Sequence, residues 1–391
     1  MKKSVVFFFV FAAAVLTSCG KEDGSSDPSN PEPQGLSLQE ATEARAQIVE
    51  AWRSEQASLL QPGFNKSKIE QNGVVLKFRL REFGSKPADG RSLWISLHGG
   101  GGTTSDVNNS QWANQQTLYK PDEGIYLCPR APWDSWDMWF KAPIDSLFEE
   151  LITTLVVLRD VNPDKVYVMG YSAGGDGVWR LAPRLADHWA AAAMMAGHPG
   201  DVSLLNVRNL PFTIWVGEND DAYNRNTEVA KRGEELDSLQ NADPEGYIHE
   251  CHVVQGKEHW MDLEDAAAVP WMAQYRRNPY PNRIVWRQEE VVRRAFYWLR
   301  APADELQRGN KVIVETSGNT INIEHCDYSS ITLLLNDNIV DLDKVVSVNY
   351  NGKTLFSGRL ARSRECLEKT LAERNDIRYM FDCELSVNIP K

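Results

Sequence analysis

Cysteine is scarce, six in 391 residues, and no pair of cysteines has the spacing of a zinc or dithiol motif. One, Cys19, ends an apolar leader. The other five (Cys128, Cys251, Cys326, Cys366, Cys383) are odd in number, so at least one thiol is free and no disulfide framework holds the fold, although a bridge between two of the last three stays open. Positive charge is also short: 42 Lys+Arg against 54 Asp+Glu give a formal net charge of -12, which speaks against nucleic acid as a partner. The apolar stretch Val5 to Val15 is too short to span a bilayer. There is no fixed-period repeat, and no Walker lysine follows the one long glycine run, so a phosphate cradle is disfavoured there.

What is present suits a folded, exported protein. A hydrophobic fraction of 42% and a charged fraction of 25% are ordinary for globular chains, and 13 tryptophans need cores or clefts to occupy. Lys2 and Lys3, the apolar stretch and the small residues before Cys19 form a three-part leader. Leu16-Thr17-Ser18-Cys19 resembles a bacterial lipobox, which implies cleavage before Cys19 and lipid on its thiol. That places the protein in the cell envelope, anchored to a bacterial membrane, with the outer membrane favoured, and facing periplasm or cell surface. Residues 20–35 are serine-rich, proline-rich and acidic, a composition that reads as a tether.

Beyond the tether, short apolar runs alternate with glycine turns and amphipathic stretches, the pattern of a mostly parallel sheet covered by helices on both faces. Strands are expected at Leu93 to Leu97, Gly124 to Cys128, Lys165 to Met169, Ala190 to Met195, Phe212 to Val216 and Tyr247 to Val254. Helices are expected at Ile144 to Arg159, Ala173 to Ala186, Thr227 to Leu239 and Gln288 to Leu299. A charged segment near 301–310 then separates a large α/β domain, 36–304, from a β-rich C-terminal module with one helix, 305–391. Asn351-Gly352 between apolar runs marks a hairpin.

The chemistry gathers at Gly170-Tyr171-Ser172-Ala173-Gly174, a G-x-S-x-G run that a chain this long holds by chance roughly one time in ten. Its setting strengthens it: a buried-strand pattern precedes the run and a helix follows, the context in which a serine is lifted out on a sharp turn as a nucleophile. About 70 residues earlier, His98-Gly99-Gly100-Gly101-Gly102 follows another strand, where backbone N–H groups can face a developing oxyanion. Gly100, Gly101 and the amide of Ala173 are the candidates. A general base and its acid should follow on loops at the carboxyl ends of later strands. Gly217-Glu218-Asn219-Asp220-Asp221 supplies the acid, with Asp220 favoured over Asp221, and His259 after the Gly256 turn supplies the base. His249 and His252 lie inside a strand and read as structural; His198 follows a strand and is a candidate for the cleft wall. Trp136 and Trp139, and Trp260 beside the base, are candidates for binding substrate, with core packing the alternative for the tryptophans near 136. Asp262, Glu264 and Asp265 read as a solvated helix start and not as a metal site.

Together Leu97-His98-Gly99-Gly100-Gly101, Gly170-Tyr171-Ser172-Ala173-Gly174, Gly217-Glu218-Asn219-Asp220 and Glu258-His259-Trp260 resemble the esterase-like α/β hydrolases related to polyhydroxybutyrate depolymerases and feruloyl or acetyl-xylan esterases. The resemblance covers about residues 60 to 300. It implies a serine esterase acting through an acyl-enzyme, with no metal or organic cofactor, on small-molecule or polysaccharide-linked esters. A serine peptidase would share the same triad, and an inert carbohydrate-binding surface lipoprotein is the rival from another class.

Overall fold

The computed structural model describes residues 35–391; the expected leader, Cys19 and nearly all of the tether lie outside the described residues. Eight strands form the main sheet: β1 (Lys68–Gln71), β2 (Val74–Phe83), β3 (Arg91–Leu97), β4 (Gly124–Arg130), β5 (Val161–Tyr171), β6 (Ala191–Met195), β7 (Phe212–Gly217) and β8 (His249–Val254). Their order is β1-β2-β4-β3-β5-β6-β7-β8. The first two neighbour pairs are antiparallel, and every pair from β4-β3 onward is parallel. This is the α/β-hydrolase fold.

Side chains alternate across each strand, and the alternation sorts them into two cores. Leu93, Ile95, Leu97, Ile125 and Leu127 point to one cluster, whereas Trp94, Tyr126 and Cys128 point to the other. Because both faces are covered, β3 and β4 read as near-continuous apolar runs. Four longer helices cover them: α2 (Ser105–Leu118), α3 (Pro143–Leu158), α4 (Ala173–Arg184) and α5 (Arg225–Ala242), followed by the short α6 (Ala268–Met272), while α1 (Leu38–Asn65) packs mainly on α3 and buries Ala44, Ile48 and Trp52 in a separate cluster. Ser37 begins α1 with a reciprocal capping box to Glu40, which satisfies orphan N–H groups of the first turn.

The C-terminal part holds β9 (Arg283–Arg287), β10 (Ala295–Phe296), β11 (Leu299–Arg300), β12 (Lys311–Ser317), β13 (Thr320–Cys326), β14 (Ser330–Leu335), β15 (Val346–Tyr350), β16 (Lys353–Gly358), α7 (Arg364–Arg374) and β17 (Cys383–Asn388). These strands make a five-stranded sheet, β16-β15-β13-β12-β9, and a four-stranded one, β10-β11-β14-β17. The Asn351-Gly352 turn joins β15 to β16 as the sequence led us to expect. β9 precedes residue 304 yet pairs with β12. Ile284, Trp286, Val312 and Leu333 share one continuous core with Leu93 of the main sheet. Buried Arg277 bridges Asp164 and Asp376, and Arg374 reaches Asp187 at 2.5 Å, so charge pairs pin the β-rich part to the main sheet.

The helix expected over Gln288 to Leu299 is not there; β10 and β11 occupy its second half. Phe296, Tyr297, Trp298 and Leu299 are all fully buried, which leaves no polar face for a helix to show water. The Gln288 side chain also closes the preceding loop by bonding both the N–H and the carbonyl of Arg293. Cys128, Cys251, Cys326, Cys366 and Cys383 are all free thiols, so no bridge joins the last three.

Candidate active site

Ser172 sits between β5 and α4 with φ 58° and ψ -123°, a conformation that costs an L-residue of order 1–3 kcal/mol and recurs at functional sites. Its N–H donates to the Met195 carbonyl at 2.9 Å, which holds the turn against β6. A side chain at Gly170 would strike the Gly174 backbone, and one at Gly174 would strike the Leu97 carbonyl, so the two flanking glycines are steric requirements. The serine oxygen is thereby held out at the carboxyl end of the sheet.

His259 and Asp220 meet it there. His259 Nε2 lies 2.9 Å from Ser172 Oγ, and His259 Nδ1 lies 2.7 Å from Asp220 Oδ2. Asp220 is buried, whereas Asp221 is exposed and contacts neither group, so geometry selects Asp220. The histidine loop is tied to the acid loop by Asn219 N–H donating to the Lys257 carbonyl at 2.8 Å. It is tied to the serine turn by Tyr171, whose hydroxyl donates to the His259 carbonyl and whose ring packs against those of His259 and Trp260.

The glycine loop differs from expectation at one position. Gly101 N–H donates to Asn108 Oδ1 at 2.9 Å, and Asn108 Nδ2 donates back to the Gly101 carbonyl at 3.0 Å. That amide is spent on anchoring the loop. Gly100, at φ 106°, and Ala173, at the first position of α4 where an N–H has no partner inside its helix, remain as the candidate donors, and both line the cavity beside Ser172. His98 sets the loop from below. Its Nε2 accepts the Ala131 N–H at 3.2 Å, which puts the ring proton on Nδ1, 2.6 Å from the Gly99 carbonyl. Burial pushes its pKa down to about 4.

Folded His98 thus stays neutral while the unfolded histidine protonates near pH 6.5, so its contribution is present above that pH and lost as pH falls toward 4. Between pH 7 and pH 5 the loss is about 2 kcal/mol. Urea unfolding at the two pH values should show His98→Gln, which can keep both hydrogen bonds, losing less stability than the wild type by about that amount. Equal losses would show that His98 is not the titrating group.

A cavity of about 540 Å³ opens beside Ser172, walled by Gly100, Trp136, Phe140, His198, Tyr223 and Arg225 among others. Trp136 is 69% exposed at its mouth and stacks edge-on against Phe140. Trp139 is not a substrate wall: it is fully buried, and its indole N–H donates to the His98 carbonyl at 2.9 Å. Trp260 is half-exposed on Tyr171, outside the residues that wall the cavity. His198 does line it, with Nδ1 accepting the Gly200 N–H at 3.0 Å, which leaves the proton on Nε2. The remaining histidines sit elsewhere: His188 against Asp187, His249 against Asp237, His252 stacked on Trp215 and His325 against Asp327. Lys257 bridges Asp262 and Glu264, while Asp265 is buried on the Tyr119 hydroxyl.

Sequence reasoning missed several residues of this site, Phe140 and Tyr223 of the cavity wall among them. Asn108 and Tyr171 act as anchors; Asp176 and Arg225 line the cavity. Asp176 lies one helical turn after Ser172, a spacing that points it to the same mouth. Its carboxylate accepts the His198 N–H at 2.6 Å, and burial raises its pKa. Arg225 had no motif to mark it.

No protein-family model matches the sequence, and no curated protein matches it. Solved structures match in part. A thermostable esterase is similar at 20% identity over 54% of this chain, with a TM-score of 0.43, and the match spans 62% of that protein, under two thirds of its length. A poly(3-hydroxybutyrate) depolymerase from Bordetella parapertussis is similar at 15% identity over 52% of this chain and 83% of its own, with a TM-score of 0.38. A ferulic acid esterase is similar at 14% identity over 53% and 95%, with a TM-score of 0.37.

Proposed function

We propose that the protein is a serine esterase, with Ser172 as nucleophile, His259 as general base and Asp220 as the acid that orients it. The observation that carries this is the unbroken chain of contacts from Ser172 Oγ through the imidazole to a buried carboxylate, on a strained serine turn at the carboxyl end of the sheet. In this reading His259 takes the serine proton as Oγ attacks the ester carbonyl, and Asp220 stabilises the imidazolium. The amides of Gly100 and Ala173 receive the oxyanion, and His259 returns the proton to the leaving alcohol. Water, activated by the same imidazole, then releases the acyl group. The open cavity with Trp136 and Tyr223 at its mouth suits an acyl or alcohol portion larger than acetate. From the leader and lipobox of residues 1–19 we further read the enzyme as exported and held on a bacterial membrane by lipid on Cys19.

The test is a panel of 4-nitrophenyl acetate, longer acyl esters, feruloyl esters and peptide anilides, run on residues 20–391. Saturable ester hydrolysis with anilide turnover lower by about two orders of magnitude is expected, since an anilide leaves less readily and needs its own pocket. Preference for the anilides would make it a peptidase.

A further inference from the structure

Asp220 has two carboxylate oxygens, and the proposed mechanism uses one. Oδ2 accepts from His259 Nδ1; Oδ1 faces Arg225, whose Nη1 donates to it at 3.1 Å. The carboxylate is 1% exposed and the guanidinium side chain 12% exposed, so this pair sits in the protein and not in solvent. Among the described residues no other side chain bonds Oδ1. The fold goes to some length to put the arginine there. Tyr223 and Asn224, just before it, are both non-glycine residues at positive φ, 58° and 56°. They turn the chain back so that α5 begins with Arg225 under the acid. The Asn226 N–H donates to the Asp220 carbonyl at 3.0 Å, and its side chain donates to the Glu218 carbonyl at 2.8 Å, which locks the returning chain to the acid loop. The guanidinium lies over the Tyr223 ring, 5.0 Å from its centroid, on the cavity side.

We propose that Arg225 is a positioning residue of this site, which fixes the plane of the Asp220 carboxylate so that Oδ2 stays on His259 Nδ1 throughout the reaction. The inference rests on the esterase reading. A buried carboxylate with one partner can rotate about its Cβ–Cγ bond and let the imidazole swing from the serine; a second, charged partner on the other oxygen removes that freedom. Arg225 is donor-only, so its bond to Oδ1 cannot invert. Arg225 also lines the cavity, but with an ester too small to press on that wall its influence runs through Asp220 and His259 and falls on turnover more than on affinity.

The experiment compares wild type, Arg225→Gln, Arg225→Ala and Arg225→Lys on 4-nitrophenyl acetate, an ester too small to depend on the cavity wall. Arg225→Gln and Arg225→Ala should lose roughly 10- to 100-fold in kcat with KM within about 2-fold. Arg225→Lys should keep at least about a third of kcat because the charge remains. About 50 mM guanidinium chloride, far below the molar range that unfolds proteins, should restore several-fold activity to Arg225→Ala and none to wild type. Should the alanine variant fail to fold, the glutamine and lysine pair decides alone. Wild-type kcat in Arg225→Gln, a loss confined to KM, or a lysine variant no better than glutamine overturns the inference while leaving the esterase reading intact. A wild-type protein inert both to esters and to a fluorophosphonate probe overturns the two together.

Discussion

Replacing Ser172 by alanine is expected to lower kcat on 4-nitrophenyl acetate by about ten-thousand-fold to a million-fold and to abolish labelling by a fluorophosphonate probe. The size follows from the division of labour in the site. Without Oγ, His259 Nε2 has no hydroxyl to deprotonate within its 2.9 Å reach, and no acyl-enzyme forms. Only the Gly100 and Ala173 amides and ordinary binding remain, and these support a small residue of turnover by water. Folding should be untouched. Alanine at φ 58° meets the same backbone cost as serine, since both carry one Cβ, and the turn is held by the residue's own N–H on the Met195 carbonyl. The thermal melt therefore separates lost chemistry from lost structure. Retained labelling in Ser172→Ala, or unchanged hydrolysis, would move the nucleophile elsewhere and dismantle the assignment.

How much of this was legible in the sequence depends on which force shaped each part. The serine turn was legible because steric exclusion shaped it: Gly170 and Gly174 are the residues that let three backbone segments approach, and only glycine satisfies that. The strands were legible because burial on both faces leaves an apolar run. Helix α2 was not. Its fully buried residues are Asn108 and Gln115, with Gln115 reaching Ser96 Oγ at 2.7 Å, and only the partly buried Trp112 and Leu118 add apolar packing, so it shows no clear apolar stripe. The same polar anchoring hid the fate of Gly101, whose amide looked free until Asn108 was placed beside it. Spacing could not separate Trp136 from Trp139, because a three-residue interval says nothing of which ring the oxyanion loop will cover. The segment 288–299 misled for the opposite reason to α2: its apolar run fills a junction between sheets, where burial on all sides replaces amphipathic periodicity.

Asp220→Asn should cost about a thousand-fold to ten-thousand-fold in kcat, with Asp221→Asn within about 2-fold of wild type. Asparagine keeps the shape of the acid and changes only which atoms donate. An amide offers one acceptor and one donor group, and Arg225, which can only donate, claims the acceptor. The amide NH₂ is then turned toward His259 Nδ1, which must accept, so the ring proton moves to Nε2 and faces Ser172 Oγ where a lone pair is required. The imidazole is held in place in the tautomer that cannot act as a base. Asp221, exposed and outside this chain of contacts, imposes nothing comparable. The two substitutions should thus differ by at least about a hundredfold when kcat is measured side by side. If Arg225 sets the orientation of the amide, the two sites are not independent: in an Arg225→Gln background, residue 225 can accept as well as donate, the amide introduced at position 220 can flip, and the further loss from Asp220→Asn should shrink by about tenfold. Losses that simply multiply would show that Arg225 has no hold on residue 220, and equal losses at 220 and 221 would show that the acid of this site lies elsewhere.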